Sequence, residues 1–107
     1  MALTIQADVN GQLANAKATL YTCPGATTAF VKSFQFVNTD PGAITMNFYW
    51  SRGTSRRIVP VNLSLDTGEL LQSEDGDEIF LEAGDLLEGD ASTAAVVDYH
   101  ISILERT

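Results

Sequence analysis

Several residue types are scarce in this 107-residue chain, and each scarcity excludes a chemistry. One cysteine, Cys23, leaves no intrachain disulfide, and one histidine, His100, leaves the usual His/Cys zinc sets out of reach. No basic residue neighbours Cys23 in LYTCPG to lower its pKa, so it reads as a small packing residue at a strand end. No apolar run approaches the ~20 residues that span a bilayer, and a membrane is not an expected partner. Six basic residues against fourteen acidic ones give a net charge of −8. That field repels phosphate backbones, so nucleic acid is not an expected partner either. The opening MALTIQADVNGQ has neither the basic n-region nor the unbroken apolar stretch of a secretory signal, and synthesis in a cytoplasm without export by that route is expected.

The cations are also unevenly placed. None lies between Arg57 and Arg106, a span rich in Asp and Glu, while Arg52, Arg56 and Arg57 share one short loop, SRGTSRR. Either this is a solvated surface, or the loop docks on an acidic edge of a neighbouring copy or of a larger assembly.

What the chain does have is alternation. In ITMNFYWS (44–51), Ile44, Met46, Phe48 and Trp50 fall on one side of an extended strand and Thr45, Asn47, Tyr49 and Ser51 on the other, a pattern that a helix would scatter. KATLYTC (17–23) reads as a strand, followed by a Pro24-Gly25 turn and a second strand, TAFVKSFQFV (28–37). In that second strand Phe30, Phe34 and Phe36 share one face and Ala29, Val31 and Val37 the other, which predicts cover on both sides. The cluster NTDPG (38–42) predicts a hairpin into 44–51. Further short strands are expected at RIVPV, with Pro60 at an edge or bulge, at Leu63–Leu65, at 69–72 and at EIFLE, where Ile79 and Leu81 point inward. Leu86-Leu87 is a further candidate before a Gly89-Asp90 turn. The last strand, 95–104, aims Val97, Tyr99, Ile101 and Ile103 one way.

Seven or eight short strands without helical periodicity describe one all-β domain, an antiparallel β-sandwich or jelly roll. Residues 17–107 form its body. Residues 1–16, in which Leu3, Ile5, Ala7 and Val9 alternate with polar positions, are either a first strand or an arm that adds to a sheet edge on another subunit. The protein-interface candidates are therefore Leu3, Ile5, Val9, Arg52, Arg56 and Arg57.

Catalytic constellations are thin. His100 has Asp98 two residues away on the same face, but no nucleophile motif accompanies them, and an enzyme is not expected. SEDGDE (73–78) lacks the later bidentate Glu of a calcium loop and reads as an exposed turn. No metal or other cofactor is expected. Sugar binding through Tyr49 or Trp50 is a weaker alternative.

The stretch LYTCPGATTAFVKSFQFVNT and the ending GELLQSEDGDEIFLEAGDLLEGDASTAAVVDYHISILE, with IxLxAGDxL before VDYxISxxE, resemble patterns in small virion structural proteins of tailed bacteriophages. The compact acidic sandwich with a separate N-terminal segment is most similar to capsid decoration, or cement, proteins. The resemblance implies a homotrimer on the outer capsid surface, with the major capsid protein as partner, that stabilises the head. Tail, fibre or head-tail connector components are the alternative placement, and a carbohydrate-binding attachment module the alternative class.

Overall fold

The computed structural model describes residues 4–73 and 79–107, with the backbone alone for Thr4 and Ile5. Leu3 and most of the SEDGDE turn lie outside the described residues. Ten strand segments follow one another: β1 (Thr4–Gln12), β2 (Ala18–Thr22), β3 (Thr28–Asn38), β4 (Ile44–Ser51), β5 (Ser55–Arg57), β6 (Leu63–Leu65), β7 (Leu70–Gln72), β8 (Ile79–Leu81), β9 (Leu86–Ala91) and β10 (Val97–Arg106). One sheet runs β1-β10-β3 with β7 and β8 both paired to β3, and the other runs β2-β9-β4 with β5 and β6 both paired to β4. Every pairing is antiparallel.

Counting β5/β6 and β7/β8 as one position each, the ten segments fill eight positions in two four-stranded layers. Chain order across the layers is that of a jelly roll, with consecutive positions alternating between sheets except at β4 and β5/β6, which are neighbours in one sheet. The inner faces meet over Phe34, Phe36 and Phe48, whose rings lie 5.1 and 4.9 Å apart, with Met46, Leu87, Val97, Ile101 and Ile103 fully buried around them. Two sheets of alternating residues can bury their apolar faces only against each other, and that places the core.

Four expectations are corrected. The 38–42 cluster does not close a hairpin, because β3 and β4 belong to different sheets. Asn38 redirects the chain there: its buried amide donates to the Gly42 and Leu65 carbonyls at 3.0 Å each, and its Oδ1 accepts from the Asp40 N–H. Strand β3 is not apolar on both faces by double cover. Its register against β10 slips at Lys32, so that Ser102 faces Ser33 while Ile103 faces Val31. This bulge switches the inward phase, turning Ala29 and Val31 inward on one side of it and Phe34 and Phe36 on the other. Phe30 is left outside, against Phe80.

Gly89-Asp90 is not a turn but the middle of β9, paired with β4. A Cβ on Gly89 would come within 3.1 Å of Leu13 and Leu20 and 3.2 Å of the Asn47 carbonyl, so glycine marks a close approach here. The strand expected at RIVPV ends before Pro60 instead of containing it, and β5 occupies 55–57. Leu13, in the connection between β1 and β2, is fully buried, held by Leu13 N–H to the Val97 carbonyl and Ala95 N–H to the Leu13 carbonyl.

Candidate interaction surfaces

The arginine loop is largely committed inside the chain. β4 and β5 form a hairpin that turns through Gly53 at φ 73°, which sets Arg52 beside the 82–85 turn. Arg52 Nε and Nη2 donate to the Asp85 carboxylate at 3.1 and 2.8 Å, and Asp85, only 3% exposed, also accepts the Glu82 N–H at 2.8 Å. Arg52 holds the Asp85 carboxyl below its ordinary pKa, outweighing the burial that acts the other way. The same guanidinium lies 4.9 Å over the Trp50 ring.

Arg57 is engaged on the outer side of the β2-β9-β4 sheet. It donates to Asn47 Oδ1 at 2.6 Å and sits 5.0 Å from the Tyr49 ring centre, with Lys17 at 4.7 Å. The Asn47 amide donates to Asp90 and Asn62, and the Tyr49 hydroxyl donates to Asp90 at 3.1 Å. The polar side of the 44–51 strand is thereby covered, and Asn47, Tyr49 and Ser51 are buried as well as the apolar side. Burial, reinforced by Asp90, pushes the Tyr49 phenol up in pKa. All three arginines are exposed, and Arg56 alone of them forms no side-chain ion pair or hydrogen bond among the described residues.

At the N-terminal candidates, β1 pairs with β10 over its whole length, from Thr4 opposite Arg106 to Gln12 opposite Asp98. Val9 packs against the core. Ile5 stands opposite Glu105 in the backbone register. The other edge of β1 carries no strand among the described residues, so a row of N–H and C=O groups is open to a neighbour.

His100 is far from any catalytic grouping. Its closest carboxylate is Asp8 on β1, 4.0 Å away, and both side chains are nearly half-exposed. Asp98 instead accepts a hydrogen bond from Gln12 at 3.0 Å. A polar hollow of about 170 Å³ beside His100 is lined by Ser33, Gln35, Gln72 and Ser73. Among the described residues no three His, Cys, Asp or Glu side chains stand together as a metal site.

The outer face of the β1-β10-β3 sheet carries the exposed features that sequence reading missed. Register places Gln6, Leu104, Phe30 and Phe80 in one row across four strands. Phe80 is 70% exposed, its ring 5.0 Å from Phe30, above a hollow of about 300 Å³ that Arg106 also lines. At the far end of the same face the row is Gln12, Asp98, Val37 and Leu70, with Leu70 47% exposed. The outward position of Phe80 in EIFLE was a visible signal, since Ile79 and Leu81 already claimed the inside.

No family model matches the chain, and no curated protein matches it. Solved structures do. The capsid of Helicobacter pylori bacteriophage KHP30 is similar over 100% of this chain and 94% of that one, at TM-score 0.59 and 13% identity. A subunit of the disulfide-linked pili called Bacillus endospore appendages is similar over 98% and 86%, at TM-score 0.55 and 17% identity. The T13 viral particle of infectious bursal disease virus is similar over 99% of this chain and 30% of that one, at TM-score 0.53 and 14% identity. At these identities the likeness is one of fold, a jelly roll found in capsids and in pili.

Proposed function

We propose that this chain is a bacteriophage virion structural protein that decorates the outer surface of the capsid as a homotrimer and fastens the major capsid protein beneath it. The observation that carries the reading is a whole-length jelly roll whose conspicuous groups are edges and surface patches instead of a convergent site. The phage-capsid likeness supports it over nearly the full length of both chains. The pilus likeness supports it less, because a disulfide-linked fibre needs an accessible thiol and Cys23 is 1% exposed with burial pushing its pKa up.

A decoration protein acts by holding on at many points, and trimer valency turns shallow contacts into firm attachment. The open edge of β1, which includes Ile5, together with the preceding Leu3, is the contact offered to the shell as added strand, and Arg56 is the cation left to reach an acidic neighbour. In this reading the chain performs no chemistry.

Immunogold labelling and quantitative mass spectrometry of intact virions test the assignment. Several hundred copies on the head exterior are expected, with earlier heat-induced genome release from heads lacking the protein. A few tens of copies confined to the tail would place it in the rival class. Deleting residues 1–10 is expected to abolish attachment, and Arg56→Glu to weaken it in a salt-dependent way.

A further inference from the structure

The two ends of the outer β1-β10-β3 face are unlike, and they complement each other. At one end the apolar row Leu104, Phe30 and Phe80 is flanked by Arg106, two residues beyond Leu104 on β10, and by exposed Lys32, two residues beyond Phe30 on β3. At the other end the apolar pair Val37 and Leu70 is flanked on the face by exposed Asp98, and the exposed Asp66 and Glu69 lie in the turn just beyond the start of β7. Between them lie uncharged groups, Ser102, Ser33, Asn10, Gln35 and Gln72, with the Asp8–His100 contact among them. In a chain of net charge −8, two of its six cations stand at one end of this face, and the Asp98 carboxylate stands at the other, with the acidic 66–69 turn next to it.

We infer that this face is a self-complementary docking surface, and that its occupant is a second copy of the same chain turned about a two-fold axis lying in the sheet plane and perpendicular to the strands. That rotation keeps each strand over its own counterpart and reverses the rows. Phe30 then falls over the partner's Val37, Phe80 falls over the partner's Leu70, and Arg106 falls near the partner's Asp98, each contact occurring twice. The alternative axis, parallel to the strands, lays cations on cations and acids on acids, and repulsion excludes it.

Four strands at ~4.8 Å spacing and about ten residues at ~3.3 Å rise make a face of ~600 Å². Two copies therefore bury ~1,200 Å², the lower limit for a specific interface. Aligned sheet packing with the usual ~30° offset accommodates the twist of both sheets. This contact is distinct from the three-fold one proposed above and independent of capsid attachment. In a shell the two would link neighbouring trimers in pairs.

Sedimentation velocity of the purified chain across a concentration series tests it. A two-fold step in mass is expected, with Phe80→Asp weakening that step about a hundredfold, as loss of an aromatic contact made twice across the two-fold axis does. Phe80 is exposed, so the monomer should keep its circular dichroism and melting transition. Arg106→Glu should weaken the step, and Arg106→Glu with Asp98→Arg should restore it. A wild-type chain lacking the two-fold step, a step unchanged by Phe80→Asp, or a charge swap without rescue would each overturn the inference.

Discussion

Asp85 shows how much one side chain can fix. Its carboxylate ties β4's end to the 82–85 turn through Arg52 and the Glu82 N–H, while its own carbonyl receives the Cys23 N–H. Asp85→Asn keeps the shape but loses the charge, and we expect a loss of about 2 kcal/mol in urea unfolding at pH 7, moderated because Arg52 is half-exposed. Gly89→Val should cost about 1–3 kcal/mol, because the added carbons meet Leu13, Leu20 and a backbone carbonyl that cannot all withdraw. A Gly89→Val protein with unchanged melting temperature would show that β9 has slack at this point. Neither role was visible in the sequence, where AGD and GD both look like turn chemistry. A glycine needed for space and a glycine needed for positive φ are written with the same letter.

At the scale of elements, alternation placed nearly every strand, and the inward residues of β10 and most of those of β4 follow it. It failed where one residue interrupts the period. Lys32 is an inserted position in β3, and reading through it groups Phe30 with Phe34 and Phe36 and sets Ala29 and Val31 on the opposite face, whereas Ala29 and Val31 share the inner face with Phe34 and Phe36 and Phe30 lies outside. Deleting Lys32 is therefore expected to be severe. Either β3 slips and turns Ala29 and Val31 outward, or the bulge re-forms elsewhere at the expense of pairing, and both outcomes lower the melting temperature well beyond the effect of Lys32→Ala. Equal melting temperatures for the two variants would contradict the bulge. The jump from β3 to β4 between sheets was also illegible, since a polar turn cluster looks the same whether it closes a hairpin or crosses a sandwich; the buried Asn38 amide decides it, and burial is a tertiary fact.

For the whole molecule, pH response follows from groups at opposite ends of the scale. Asp85 has a depressed pKa in the fold, so its contribution is present above the ordinary carboxylate range and is lost as pH falls through and below it. Tyr21 behaves in the opposite sense: burial, then its hydrogen bond to Glu105 across the two sheets, raises the phenol, as burial and Asp90 raise Tyr49. Their contribution is present below the ordinary tyrosine range near 10 and declines as pH rises past it. A plateau of melting temperature from about pH 5 to 9 is expected, falling on both sides. In Asp85→Asn the acid limb should flatten, and in Tyr21→Phe the alkaline one. The candidate contacts were only partly legible at this scale. Arg52 and Arg57 stand out in the sequence as a basic loop, but which cations are spent internally depends on partners more than thirty residues away for Arg52 and on a stacked ring for Arg57.

Strand β10 lies between β1 and β3 yet follows both in the chain. During synthesis the first sheet must therefore wait: until Arg106 has left the ribosome, β1 and β3 have no central neighbour, and both present unsatisfied edges for the whole interval. Pairing across nearly a hundred residues is slow to find. Newborn copies crowded on one message would meet each other's open strands before their own last one arrives, so yield should depend on how sparsely translation is initiated.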